Sequence, residues 1–202
     1  MSDVLLNRER AGFSFPELLI VVGVGLIITV VAVPVMSNAI ANMKLRSNMT
    51  SLSGLLQNTR AIGVQQNAAK TACHFNSSDP PYSLIYFVKS VTVCTTATVD
   101  TTDPQVELEA PIIPYATPSG PGAPPPMDNA TLGSLSTPLT SDPSFNSNGL
   151  PCSYSGICTP NTAFIQYFKD SRFAGSGGWA AISISPAGRI RRWFFSGSVW
   201  TS

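Results

Sequence analysis

The feature that most constrains this chain is an apolar run near its N-terminus. Residues 18–36 contain no charged side chain. As an α-helix, these 19 residues would span roughly 28 Å, close to the thickness of a bilayer's hydrocarbon core. A helix on the surface of a soluble domain has polar residues every three or four positions, and this run does not. The run therefore predicts a helix that enters a membrane.

A secretory signal peptide is the alternative interpretation of the run. Such a peptide has a shorter apolar region, followed by a small-residue cleavage site on its far side. Arg8 and Arg10 precede the run, whereas Lys44 and Arg46 follow it, so the basic residues do not set an orientation. The cysteines and the large polar C-terminal part favour a C-terminal side outside the cytoplasm.

The four cysteines suggest an oxidising compartment. They form an even set, which predicts disulfides, and four buried free thiols are the alternative. Three pairings are possible, and the pairing between neighbours in sequence joins Cys73 to Cys94 and Cys152 to Cys158. Charged residues make up only 11% of the chain and the net charge is +1. Bulk charge therefore gives no reason to expect nucleic acid or acidic lipid as a partner.

The sequence predicts no metal site, no cofactor and no catalytic site. It has no Cys-x-x-Cys motif, and His74 is its only histidine, so zinc binding is not expected. No Ser–His–Asp or Cys–His set can be placed, and no glycine loop is suited to hold a phosphate. We therefore expect a protein that is not an enzyme.

Glu17 lies at the edge of the apolar run, where a carboxylate is costly. An ionisable group in a membrane helix costs about 2.5 kcal/mol or more and is usually partnered. The run offers no Lys or Arg one turn away. Cleavage between Gly12 and Phe13 would create an α-amine four residues before Glu17, on this chain or a neighbouring one. The simpler alternative is an acid that complements the dipole of the first helical turn.

Residues 11–35, AGFSFPELLIVVGVGLIITVVAVPV, resemble the N-termini of type IV pilins and of type II secretion pseudopilins. The resemblance implies that a prepilin peptidase cuts after Gly12 and methylates the new N-terminus at Phe13. It also implies that Glu17 pairs with the amine of a neighbouring subunit. Pro34 matches a proline at which the helix of such proteins loosens on assembly.

The same resemblance gives the expected organisation of the chain. Residues 1–12 would be a cleaved leader, residues 13–38 a transmembrane and filament-core helix, and residues 39–70 an amphipathic helix. Residues 71–202 would form a β-sheet head. The implied partners are other pilin or pseudopilin subunits, the prepilin peptidase and the bacterial inner membrane. The implied location is a single-pass position with the head in the periplasm, and then a pilus or pseudopilus.

Periodicity in the later part of the chain predicts an α+β fold. Residues 82–93, 164–168 and 179–185 alternate with period two and are predicted strands. A turn at residues 186–188 leads into a further antiparallel strand, so we expect a long helix packed on an antiparallel sheet. Four apolar residues follow a 4-3-4 spacing that places them on one helix face: Leu45, Met49, Leu52 and Leu56.

Residues 103–161 differ in composition from the rest of the predicted head. Twelve of the 17 prolines lie between positions 104 and 160, and residues 90–163 contain no Lys or Arg. Residues 118–126, PSGPGAPPP, are predicted to be polyproline-like or disordered. This long insertion is either a surface that contacts a partner or a tolerated surface loop.

The head also resembles the minor-subunit branch that contains the GspH, FimT and FimU proteins, over residues 45–70 and 179–195. Within it, residues 188–191 resemble a Gly-Arg-x-Arg motif associated with DNA capture in FimT-like minor pilins. The resemblance makes DNA-binding candidates of Arg189, Arg191 and Arg192.

Strand alternation would place Arg189 and Arg191 on one face with Trp193. Guanidinium groups beside exposed aromatic rings form a platform for phosphates and bases. The alternative is a solvated hairpin edge that charge protects from pairing with other strands.

Three functions remain open from the sequence. The first is a minor pilin of a type IV pilus, with DNA uptake as an added role. The second is a GspH-like minor pseudopilin of type II secretion, which would contact a secreted protein. The third is an unrelated single-span binding module that never polymerises.

Overall fold

The computed structural model describes most of the chain after residue 13. The described residues divide between two compact units, Met1–Ile40 and Ala41–Ser202. They are residues 14–76, 82–90, 94, 98–115, 121–122, 141–154, 158–160, 162–173 and 177–202.

A single helix of 51 residues, α1 (Phe15–Gln65), forms the N-terminal part of the described chain. Pro16 lies in its first turn, where the missing N–H would have no helical acceptor. Two residues after the end of the helix, Asn67 is in the left-handed conformation, with a φ of 48°. The next amide, of Ala68, donates to the carbonyl of Gly63 at 3.0 Å. This arrangement satisfies a carbonyl that the end of a helix would otherwise leave without a donor.

The first unit consists of the apolar part of α1. This part is long and apolar enough to cross a membrane, with a mean hydropathy of 2.9, and none of it is buried. The exposed large apolar side chains of the unit are Phe15, Leu18, Leu19, Ile20, Val21, Val22, Val24, Leu26, Ile27, Ile28, Val30, Val33, Val35, Met36 and Ile40.

The second unit contains the rest of α1 and the strands. In the described residues the strands are β1 (Lys70–Asn76), β2 (Tyr82–Ser90), β3 (Gln105–Glu109), β4 (Ile112–Tyr115), β5 (Ser144–Phe145), β6 (Pro151–Tyr154), β7 (Cys158–Pro160), β8 (Phe164–Asp170), β9 (Trp179–Ile184), β10 (Ile190–Phe195) and β11 (Trp200–Thr201).

These strands form two antiparallel sheets. The first sheet has the order β3-β2-β1-β5-β6-β7, and the second has the order β11-β10-β9-β8-β4. The predicted hairpin is confirmed, because β9 and β10 pair antiparallel with Ile190 opposite Ile184. The predicted α+β fold, a long helix with an antiparallel sheet head, is likewise confirmed.

The main core of the second unit lies between α1 and the strands. All four helix residues that the 4-3-4 spacing selected are buried in it, so the predicted helix face is confirmed. The hydroxyl of Tyr86 in β2 donates to Oε1 of Gln166 in β8 at 3.2 Å, which links the two sheets. Burial, together with the nearby Asp142 carboxylate, raises the pKa of Tyr86 well above its ordinary value. The hydroxyl therefore keeps its proton and remains a donor.

The expectation of one long loop across residues 103–161 is wrong in part. Five short strands, β3 to β7, lie within this range and extend both sheets. Local sequence does not reveal them, because strands of two to five residues depend on neighbours from elsewhere in the chain. Residues 118–126 lie outside the described chain except for Pro121 and Gly122. Residues 91–93, the end of another predicted strand, also lie outside it.

Both disulfides join cysteines that are neighbours in sequence. Cys73 of β1 is bonded to Cys94, and Cys152 of β6 is bonded to Cys158 of β7. The second bond closes a hairpin at the edge of the first sheet. The first bond therefore ties β1 to the chain that follows β2, and the second ties β6 to β7.

We expect Leu52→Ala to destabilise the second unit by about 2–5 kcal/mol, because truncating a fully buried leucine leaves a cavity. Leu52 is 0% exposed. The measurement is urea unfolding of the full chain in detergent, followed by tryptophan fluorescence. Asn58→Ala is the matched control on the exposed side of α1, with an expected change within about 0.5 kcal/mol. Equal midpoints for the two variants would contradict this account of the core.

Candidate functional site

The proposed processing site and the start of α1 form the first candidate region. Gly12 and Phe13, the predicted cleavage and methylation positions, lie outside the described residues. Glu17 lies in the first turn of α1 and is exposed. No basic residue lies within the described part of the first unit. A partner for this carboxylate must therefore come from residues outside that part, from another molecule or from solvent.

Pro34, for which the resemblance to pilins implies a role in assembly, lies in the interior of α1. Proline has no backbone N–H, so the carbonyl of Val30 lacks the donor that a regular helix would supply. The helix nevertheless continues for a further 31 residues beyond this position, to Gln65. Its backbone therefore has a built-in weak point within the apolar part.

The second candidate region is a basic groove in the second unit. We use this name for a cavity of about 590 Å³ between α1 and the free edge of β10. Four arginines contribute to its walls. The lining residues are Arg46, Thr50, Arg189, Ile190, Arg191, Arg192, Phe194, Thr201 and Ser202.

The basic groove forms beside β10 because only the end of this strand pairs with β11. The strand β11 pairs only with Phe194 and Phe195. Among the described strands, the preceding residues of β10 therefore have a free edge, and side chains from both faces of the strand can reach around it. Edge positions of this kind are commonly charged, because charge prevents pairing with another chain.

The turn before β10 is fixed against α1. Gly188 has a φ of 79°, in the left-handed region that favours glycine. Its N–H donates to the carbonyl of Ser185 at 2.8 Å, as expected for the predicted turn. The Arg60 guanidinium donates to the Gly188 carbonyl at 3.2 Å. A Cβ at Gly188 would lie 3.2 Å from Arg60 Cζ, so a side chain there would disturb this contact.

Three arginines of the basic groove are positioned by specific contacts. Arg192 donates from Nη1 to Oγ1 of Thr50 at 2.5 Å, which places it on the side of the sheet that faces α1. The guanidinium of Arg46 lies 4.6 Å from the centre of the Phe194 ring. On the other face of β10, the guanidinium of Arg191 lies 5.9 Å from the ring of Trp193. The arginines thus approach the groove from both faces of β10 and from α1.

In the described part of the chain, no Asp or Glu forms an ion pair with an arginine of the basic groove. Within the described part of the chain, the ion pairs of Asp and Glu all use other cations: Lys44, Lys89, His74 and Arg172. Guanidinium groups cannot lose their charge in a protein. An anion with several oxygens could therefore accept hydrogen bonds from more than one arginine.

The expected platform of exposed aromatic rings beside the arginines is wrong for Trp193. This side chain is only 5% exposed, and its indole N–H donates to Oγ of Ser183 at 2.8 Å. The outer face of the sheet buries it, so it offers no surface on which a base could stack. On this face the groove therefore offers guanidinium donors but no exposed Trp193 ring.

Sequence reasoning missed Arg46 and Arg60 as parts of this region. Both lie on α1, more than 120 residues before β10 in the chain. The buried residues Leu45, Met49, Leu52 and Leu56 follow a 4-3-4 spacing. Arg46 is next to Leu45 in the chain and so lies at the edge of the face that they form. That spacing was the one available signal that Arg46 would lie close to the sheet.

One group in the described residues has the composition of a metal site. The potential ligand atoms of Cys73, Cys94 and Asp142 lie within 4.8 Å of one another. The two sulfur atoms are bonded to each other, so neither is a thiolate that could bind a metal. His74 pairs with the same Asp142 through Nδ1. We assign no metal to this group.

Comparison with known proteins gives distant structural matches. No model of a protein family matches the chain, and no curated protein matches it. Two crystal structures of the type IV minor pilin FimU from Pseudomonas aeruginosa are similar, with TM-scores of 0.46 and 0.45 and identities of 16% and 15%. The two matches cover 80% and 78% of this chain, and 95% and 97% of the respective FimU chains. At this identity and TM-score, the likeness assigns no function.

Proposed function

We propose that this chain is a minor pilin-like structural subunit of a type IV pilus. In this proposal the chain is inserted into the bacterial inner membrane as a single span with its head in the periplasm. A prepilin peptidase cuts after Gly12 and methylates Phe13, and the subunit then assembles with other pilin subunits. The observation on which the proposal depends is the exposed apolar part of α1, with Glu17 in its first turn.

The exposed part of α1 supports assembly through its all-round apolar surface. Consecutive residues from Leu18 to Val22 are exposed, and each is turned about 100° from the last. Apolar side chains therefore cover every side of the helix. A groove on one partner would cover only one side, whereas lipid, or a ring of neighbouring helices, would cover all sides.

A minor pseudopilin of a type II secretion machine is the alternative assignment. It would share the cleavage, the methylation and the filament-core helix with the minor pilin. The two assignments differ in what the head contacts, which would be DNA in one case and a secreted protein in the other. The basic groove is the part of the head that can distinguish them.

We expect the chain extracted from membranes to have lost residues 1–12 and gained one methyl group. Intact-mass spectrometry of the purified protein measures both changes. Gly12→Leu should leave the chain uncut, because the peptidase then meets a bulky side chain at the cleavage position. Gly23→Ala is the control, since a Cβ there meets nothing within 4 Å, and it should be processed normally. An uncut parent chain would exclude the pilin-like assignment.

We expect Glu17→Gln to be inserted and cut normally but to enter filaments about tenfold less efficiently or worse. A paired charge in apolar surroundings is worth more than the ~1.4 kcal/mol that a tenfold change requires. Immunoblots of sheared filaments, normalised to the membrane-bound pool, give the ratio. Ser14→Ala, a neutral change in the same turn, should match the parent. Undiminished incorporation of Glu17→Gln would rule out pairing of Glu17 with a subunit amine.

We also propose that the basic groove binds the phosphates of DNA. Four arginines line it, and in the described chain no carboxylate pairs with them. A guanidinium presents planar paired donors that match phosphate oxygens. This contact needs no base stacking, so the burial of Trp193 does not conflict with it.

We expect the variant Arg189→Ala with Arg191→Ala to bind duplex DNA more weakly and with less salt dependence. Each lost phosphate contact reduces the slope of log K against log salt by about 0.9, so the slope should fall by about 2. Fluorescence anisotropy with the full chain in detergent measures both quantities. Lys44→Ala with Lys89→Ala removes the same charge from two residues that do not line the groove and that pair with carboxylates elsewhere, so this variant should bind like the parent. Equal affinity for all three proteins would exclude the groove as a DNA site and favour the pseudopilin alternative.

A further inference from the structure

A second cavity continues the basic groove along α1. It has a volume of about 670 Å³ and lies between the C-terminal part of α1 and the turn that precedes β10. Arg189 and Ile190 line both cavities, so the two are continuous. We call the second cavity the amide pocket, because two glutamines lie in its wall. The residues that matter for its chemistry are Gln57, Arg60, Val64, Gln65, Arg189 and Ile190.

The two cavities differ in the chemistry of their walls. Four arginines line the basic groove, whereas α1 contributes the neutral amides of Gln57 and Gln65 to the amide pocket. The aliphatic side chains of Val64 and Ile190 lie in the same wall, and Val64 is 50% exposed. A ligand that fits both cavities therefore carries negative charge in one part. In the other part it carries a neutral group with hydrogen-bonding edges and apolar faces.

Arg60 is fixed in the wall of the amide pocket by a turn from each sheet. Its guanidinium donates to the carbonyl of Gly188, in the turn between β9 and β10, at 3.2 Å. Gly149, in the turn between β5 and β6, has a φ of 73°. A Cβ at Gly149 would lie 3.0 Å from Arg60 Nε, so this close approach requires glycine. The planar guanidinium is therefore held in one orientation before any ligand arrives.

The junction of the two cavities attracts an anion. Arg60 and Arg189 both line the amide pocket, and no Asp or Glu of the described residues forms an ion pair with either of them. Two like charges beside one cavity are stabilised by an anion between them. A phosphate bound to Arg189 at this junction would place the group that it carries in the amide pocket.

An unpaired nucleobase has the chemistry that the amide pocket matches. Unpaired bases stack on the planes of arginine guanidinium groups and form hydrogen bonds along their edges. A glutamine amide offers one acceptor and two donors to such an edge. In a duplex the faces of each base are covered by the neighbouring base pairs, so a side chain reaches them only when the base leaves the stack.

We propose that the amide pocket binds an unpaired nucleobase of DNA whose phosphates lie in the basic groove. Arg60 provides the plane on which the base stacks, and Gln57 and Gln65 bind its edge. Arg189 holds the phosphate that joins the two cavities. This inference rests on the proposed binding of DNA phosphates by the groove. It adds that a single strand occupies both cavities, whereas a duplex reaches the basic groove alone.

Fluorescence anisotropy with the full chain in detergent tests this proposal with three labelled probes of equal length. The probes are a single strand of mixed sequence, the same strand without its bases, and the corresponding duplex. The single strand should bind at least about fivefold more tightly than the abasic strand, because stacking of one base contributes at least that factor. The two strands carry the same phosphates, so their difference reports the base alone.

Two variants assign this preference to the amide pocket. Gln57→Ala with Gln65→Ala should weaken single-strand binding about fivefold and leave abasic-strand and duplex binding unchanged. Arg60→Lys keeps the charge but not the plane. It should reduce the preference for bases without changing the slope of log K against log salt. Asn58→Ala with Gln66→Ala removes two exposed amides that do not line the pocket, and should match the parent.

Three outcomes would overturn the proposal. Equal affinity of the parent for the two single strands would exclude a base site and leave the phosphate groove intact. A preference for bases that survives in both variants would place the base elsewhere on the head. Equal weakening of all three probes by the glutamine variant would show general damage rather than base recognition. Failure of the proposed function gives a different result, in which Arg189→Ala with Arg191→Ala binds duplex DNA as tightly as the parent.

Discussion

Apolar side chains on every side of residues 15–40 are the constraint on which the other features depend. Soluble monomers rarely expose continuous apolar patches of more than a few hundred Å². This part of α1 is long and apolar enough to cross a membrane, and in the proposed assignment Glu17 at its start pairs with a subunit amine in that environment. The same helix continues into residues 41–65, where only one face is buried and the others meet water. One continuous helix thus has an exposed apolar part and an amphipathic part, which is consistent with the proposed membrane-inserted subunit.

Periodicity predicted the parts of the fold that local sequence determines. Leu45 and Met49 begin a spacing that only a helix can place on one face, and both are buried. The hairpin of β9 and β10 has strong alternation and a Pro-Ala-Gly turn, so it too was predictable. The strands β3 to β7 were not predictable, because they are short and lie in proline-rich sequence that favours loops. They exist because longer strands offer them edges: β3 pairs with β2, and β4 pairs with β8. Tertiary partners decide such elements, and a single sequence does not show those partners.

The candidate site was predictable to the extent that its residues are neighbours in sequence. Arg189, Arg191 and Arg192 are conspicuous as a cluster, but the groove also needs Arg46, and only the fold brings α1 beside β10. The same long-range packing corrected one part of the prediction. Trp193 shares a face of the strand with Arg191 as expected, yet its side chain is buried in a second hydrophobic cluster rather than open to solvent. Alternation shows which residues share a face of a strand, and it cannot show what lies over that face.

The second sheet is buried on both faces at its centre but not at its β4 edge. An antiparallel sheet commonly has one face in water, and Tyr115 of β4 is 40% exposed. In the central strand β8, by contrast, six of the seven residues are buried. Side chains from the sheet itself contribute to this burial: Trp200 of β11 contacts Tyr167 at 6.2 Å, and Nζ of Lys169 in β8 lies 5.2 Å from the Trp179 ring. Large side chains on neighbouring strands can therefore bury one another on the outer face of a sheet, and an apolar run on both faces of a strand does not by itself require a further layer of chain.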